Sequence, residues 1–138
     1  MGLVDYSDIK DEIENAPEPT VAEQGREYKL RIISVRTGVS DKNDCPWLSP
    51  VFEVVDEPLV KEFNDFMWEL RKDRLDPKTY ARALAKFKVF CSAFSIDISK
   101  PIDFEDDLPG HEGWAILGIK KDDEYGEQNT IRKYIARK

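Results

Sequence analysis

Histidine occurs once in the 138-residue sequence and cysteine twice, so Cys45, Cys91 and His111 cannot build a disulfide framework or a structural zinc site. A catalytic zinc would have to recruit carboxylates, and none lies at a ligand-motif spacing. A glycine-rich phosphate loop, a nucleophile elbow and a paired-histidine motif are also missing. No enzymatic activity, metal or cofactor is therefore expected. Asp106 with Asp107 and Asp122 with Asp123 read as solvated loop acids rather than a nuclease metal site, and His111 as a surface loop residue. Apolar runs are short: Trp114 to Ile119 falls far below the ~20 residues that cross a bilayer. The opening MGLVDYSDIK is too acidic for a signal peptide. A soluble, cytoplasmic protein with no membrane partner is the expectation.

What the sequence does contain is enough apolar material for one core, with 41% hydrophobic and 11% aromatic residues. Its formal charge of -7 hides a partition. Residues 1–24 carry seven acids against one base, whereas residues 71–88 hold seven bases and two acids. Residues 128–138 hold four bases and no acid, and residues 97–113 six acids and one base. A nearly neutral domain with basic strips can bind a polyanion locally, with modest and salt-sensitive affinity.

Residues 1–24 read as an acidic, proline-containing arm, with a short helix possible around Tyr6 to Asn15, and residues 25–138 as the folded domain. Tyr28, Leu30 and Ile32 alternate with Lys29 and Arg31, which predicts a half-buried strand with a basic outer face. A turn-rich stretch from Thr37 to Pro46 predicts a long hairpin loop. A second strand spans Trp47 to Val55, its parity placing Trp47 on the wet face and Pro50 at a bulge or edge. Phe63 to Leu70 fits a third strand, with Phe66, Trp68 and Leu70 directed to the core, although a helix fits the same residues. Asp76 and Pro77 open the clearest helix. Its stripe Tyr80, Leu84, Phe87, Cys91 and Phe94 is assigned to the core, and Lys78, Arg82 and Lys86 to a solvated face. Gly113 to Lys121 and Thr130 to Arg137 form a closing hairpin around a loop in which glycine can take positive φ.

Five strands with the main helix between strands three and four is the order of an OB-fold, a five-stranded Greek-key β-barrel that holds oligonucleotides on one strand face and its loops. An antiparallel sheet backed by a helix gives a similar pattern. Three segments carry a resemblance: Gly25-Arg26-Glu27-Tyr28-Lys29-Leu30-Arg31-Ile32, Phe90-Cys91-Ser92-Ala93-Phe94, and Glu124-Tyr125-Gly126-Glu127-Gln128-Asn129 with Lys133-Tyr134-Ile135. Across residues 25–138 they resemble bacteriophage single-stranded DNA-binding proteins of the OB-fold type. The resemblance implies a protein that coats single-stranded DNA during replication or recombination in the host cytoplasm, with phage or host replication and recombination proteins as further partners. Such proteins commonly carry an acidic C-terminal tail for partner recruitment, whereas here the acidic stretch lies at residues 1–24 and the last residues are Ala136-Arg137-Lys138.

Sequence-tolerant binding of single strands needs aromatic faces for the bases interleaved with cations for the phosphates. Lys29 and Arg31 meet this on strand one, Trp47 at the start of strand two, Lys120, Lys121 and Tyr125 at the last hairpin, and Arg132 and Tyr134 on one face of the final strand. Trp47, Tyr125 and Tyr134 are the stacking candidates. A buried ring with a bonded hydroxyl is the competing assignment for Tyr134; Trp114 can face either way. The alternative from another class is a protein-interaction or DNA-mimic module that binds no nucleic acid.

Overall fold

The computed structural model describes residues 2–136. In the acidic arm a 3-10 turn (Ser7–Ile9) leads into α1 (Lys10–Glu14), close to the helix expected there, and neither buries a side chain. The chain is caught at Ala22. Its N–H donates to Asn129 Oδ1 (2.8 Å), and Asn129 Nδ2 donates to the carbonyls of Ala22 (2.9 Å) and Gly118 (3.0 Å).

β1 (Glu27–Val39) pairs antiparallel with β2 (Pro46–Val54). Leu30 and Ile32 are fully buried, as their alternation with Lys29 and Arg31 requires. A bulge then leaves Ile33 unpaired between the pairs Ile32–Phe52 and Ser34–Val51. It re-phases the strand, so Val35 faces the core. The irregularity anticipated from Pro50 thus lies in the neighbouring strand, one residue from the Val35–Pro50 pair.

Phe63 to Leu70 is two short strands rather than one. β3 (Phe63–Asn64) and β4 (Met67–Trp68) both pair with β2. Phe63 and Met67, four residues apart, share one parity and one register on β2, and both face the core. Phe66 is consequently 42% exposed and Trp68 half-buried, the reverse of the core placement their parity suggested.

α2 (Pro77–Phe94) starts as its sequence dictates: Asp76 Oδ1 accepts from the Thr79 N–H (2.9 Å) and Pro77 takes the first helical position. Ser95, at φ 54°, ends it in the left-handed conformation. Only its last turns, at Phe90, Cys91, Ala93 and Phe94, are buried, so Leu84 of the expected core stripe is 47% exposed. A short α3 (Phe104–Asp107) precedes β5 (Glu112–Asp122). β5 pairs with β1 and with β6 (Gly126–Ile135), and Gly126 turns the hairpin at φ 73°. The expected strand end at Arg137 lies outside the described residues.

The strands form one antiparallel sheet in the order β3-β2-β1-β5-β6, with β4 also on β2. This is a six-stranded open sheet backed by a helix: β3 and β6 share no ladder. Side chains join those edges instead. Tyr134 Oη donates to Asp65 Oδ2 (2.6 Å), and Lys61 Nζ to the Glu127 carbonyl (3.3 Å). Phe52, Phe90, Phe94 and Tyr134 fill the space between sheet and helix, with ring centroids 5.2–6.4 Å apart.

Candidate nucleic-acid interface

Pairing of β2 with β4 sets Trp47 opposite Trp68. Phe66 lies between them, 5.7 Å from Trp47 and 4.9 Å edge-on from Trp68, centroid to centroid. Trp47 can lie close to β1 because its cross-strand partner is Gly38: a Cβ there would come within 2.5 Å of the indole. Three rings thus share a partly exposed surface outside the core.

Cations border these rings. Arg82 and Lys86 of α2 line an open groove of about 280 Å³ together with Phe66 and Trp68. Lys86 Nζ is fixed by Asp65 Oδ1 (2.9 Å) and the Phe66 carbonyl (2.7 Å). Arg36, exposed, sits two residues before Gly38 on the same face of β1. Neither Arg36 nor Arg82 has a carboxylate within 4.0 Å among the described residues. The outward placement of Trp47 was legible from parity. Phe66, Trp68 and Arg36 were not foreseen as ligand-facing; the recurrence of Arg82 and Lys86 at four residues was the available signal for the helix side.

The other residues proposed from sequence are distributed differently. Lys29 and Arg31 lie on the outer face of β1, but carboxylates already meet them: Lys29 Nζ to Glu112 (3.2 Å), Arg31 to Glu112 (2.6 Å) and to Glu53 (2.8 Å). The Arg31 hydrogen bond, with Lys29 adding to it, holds the Glu112 carboxyl below the ordinary glutamate range. Lys120, Lys121 and Tyr125 are exposed at the β5–β6 hairpin, Tyr125 by 65%. Because β5 runs antiparallel to β1, that hairpin and the β1–β2 loop beside Trp47 lie at opposite ends of the strands.

Tyr134 is not available for stacking. It is 6% exposed, its ring packs on Phe90, and burial, reinforced by Asp65, pushes its hydroxyl pKa well above the ordinary value. The reason is a second bulge: Ile116 pairs with Lys133 and Leu117 with Ile131, so Arg132 is the extra residue. Arg132 therefore stays outside, over Gly118, while Tyr134 turns inward and no longer shares its face. Trp114 is half-buried on the outer face opposite Lys29.

Among the described residues no cluster of three or more metal-ligating side chains occurs, and none of their helices is long and apolar enough to cross a membrane. No family model matches the chain, and a comparison with curated proteins finds no match.

Proposed function

We propose that this protein binds single-stranded DNA without sequence preference, through bases stacked on Trp47, Phe66 and Trp68 and phosphates held by Arg36, Arg82 and Lys86. The observation that carries the reading is the exposed ring cluster bordered by cations, two of which lack carboxylate partners among the described residues. Flat rings accept any base, and cations follow the backbone whatever its sequence. Lys120, Lys121, Tyr125 and Arg132 offer a second exposed strip for the same strand. Lys29 and Arg31 contribute less, since phosphate would have to displace Glu112 and Glu53.

The strand order, with the helix between β4 and β5, supports reading the sheet as an OB-type barrel whose closing edge is spanned by side chains rather than a ladder. That reading and the resemblance to phage single-stranded DNA-binding proteins suggest a role in coating replication or recombination intermediates.

Titration of a fluorescent oligothymidine at two salt concentrations tests the proposal. Binding should weaken as salt rises, because neutralised phosphates release counterions. Phe66→Ala should weaken it by about 5- to 150-fold, the equivalent of ~1–3 kcal/mol of stacking, at nearly unchanged melting temperature. Absence of binding at low salt would refute the proposal and leave a protein-interaction module.

A further inference from the structure

Two apolar surfaces of this chain lack partners, and their surroundings carry opposite charge. The first is an open groove of about 790 Å³ along α2, lined by Leu70, Leu84, Phe87, Cys91, Ile96 and Ile98. Leu84 is 47% and Ile98 64% exposed there. Along the helix Ala81, Leu84, Ala85, Lys88 and Cys91 recur at the three- and four-residue spacing of one helix face. This face adjoins the one bearing Arg82 and Lys86 but is distinct from it. α2 carries four bases, Lys78, Arg82, Lys86 and Lys88, and no acid, and Lys88 lines the groove itself.

The second surface is the N-terminal arm. Leu3, Val4, Tyr6, Ile9 and Ile13 are all exposed. Tyr6, Ile9 and Ile13 follow the same three- and four-residue spacing, so the turn and α1 present an apolar edge. Acids flank that edge, and residues 1–24 hold seven of them against one base. An acidic amphipathic segment matches an apolar helix groove with a basic surround in both chemistry and sign. In a single copy the arm leaves that groove open: Val4, Tyr6 and Ile13 line a shallow hollow within the arm itself.

We propose that the arm of one copy docks in the α2 groove of a second copy, linking protein molecules through Tyr6, Ile9 and Ile13 seated on Leu84 and Ile98. Such a contact joins different surfaces of two identical chains, and can pass from copy to copy. It does not depend on the nucleic-acid reading, and its test contains no nucleic acid.

Sedimentation of the full chain over a wide concentration range should show the mass rising from 16.0 kDa towards multiples of it, and less so in high salt. Ile13→Asp and Leu84→Asp alter exposed side chains, so both should melt like the wild type, and each alone should remain monomeric. Mixing the two variants restores one intact arm facing one intact groove, and should recover a two-copy complex. A wild type that stays monomeric throughout, or single variants that associate like the wild type, would overturn the proposal. Failure of the mixture to associate, as expected if the arm docks on its own chain, would overturn it as well.

Discussion

Tyr134→Phe removes one hydroxyl and keeps the ring, so it isolates the bond that spans the open edge of the sheet. Tyr134 Oη is the partner of Asp65 Oδ2 at 2.6 Å, whereas Oδ1 of the same carboxylate stays engaged with Lys86 and the Phe66 N–H. A hydrogen bond from a buried hydroxyl to a carboxylate contributes about 2 kcal/mol. At this chain length that corresponds to a loss of about 6–10 °C in melting temperature. The pH dependence gives a second signature. Burial and Asp65 raise the folded-state pKa of Tyr134, so above about pH 10 the unfolded chain loses this proton while the folded chain keeps it. The contribution is fully present below pH 10 and declines as pH rises towards the folded value, by up to about 1.4 kcal/mol per pH unit. Urea unfolding of wild type and variant from neutral pH to pH 11 should therefore show a constant gap that narrows above pH 10. Oligothymidine affinity should not change. An unaltered melting temperature combined with weakened DNA binding would refute the placement of Tyr134 as a core strut.

Three further outcomes follow from the same geometry. Gly113→Ala puts a Cβ within 2.5 Å of the Ala93 carbonyl oxygen, where β5 passes the end of α2, and should destabilise the fold by about 1–3 kcal/mol in urea unfolding. The Glu112 carboxylate, held low by Arg31 and Lys29, stabilises the fold above the ordinary glutamate pKa and loses that effect as pH falls; Glu112→Gln should flatten the acid side of the stability profile. Burial pushes the Cys91 thiol up to about 11 and raises that of Cys45, so at pH 8 roughly a thousandth of Cys91 is thiolate, and both cysteines should react with a disulfide reagent only as the protein unfolds.

Local chemistry made much of this architecture legible. Asp76 followed by Pro77 located the helix start, alternation located β1, and the mixed stretch around Gly126 located the last turn. Bulges, and an alternation that does not say which of its two faces is the core, defeated the rest. Counting by two carries parity through Arg132, where the chain shifts phase; across Asp65 the phase holds, but it is the set of Phe63 and Met67, not that of Phe66 and Trp68, that faces the core. As a result Tyr134 moved from ligand face to core and Phe66 from core to surface. The helix stripe was read correctly as apolar, yet apolarity does not say how far a sheet extends beneath it, and the sheet covers only the last turns. Lys29 and Arg31 were correctly placed outside; their pairing with Glu112, about eighty residues away, depends on the β1–β5 register and leaves no local trace.

Intrinsic fluorescence tests the stacking claim most directly, because only Trp47 and Trp68 among the three tryptophans belong to the ring cluster. Adding oligothymidine should quench the wild type and Trp114→Phe alike, and should leave a Trp47→Phe/Trp68→Phe double variant unquenched although it still binds through its phenyl rings. Quenching that persists in the double variant and vanishes in Trp114→Phe would contradict the account and move the strand to the outer face of β5.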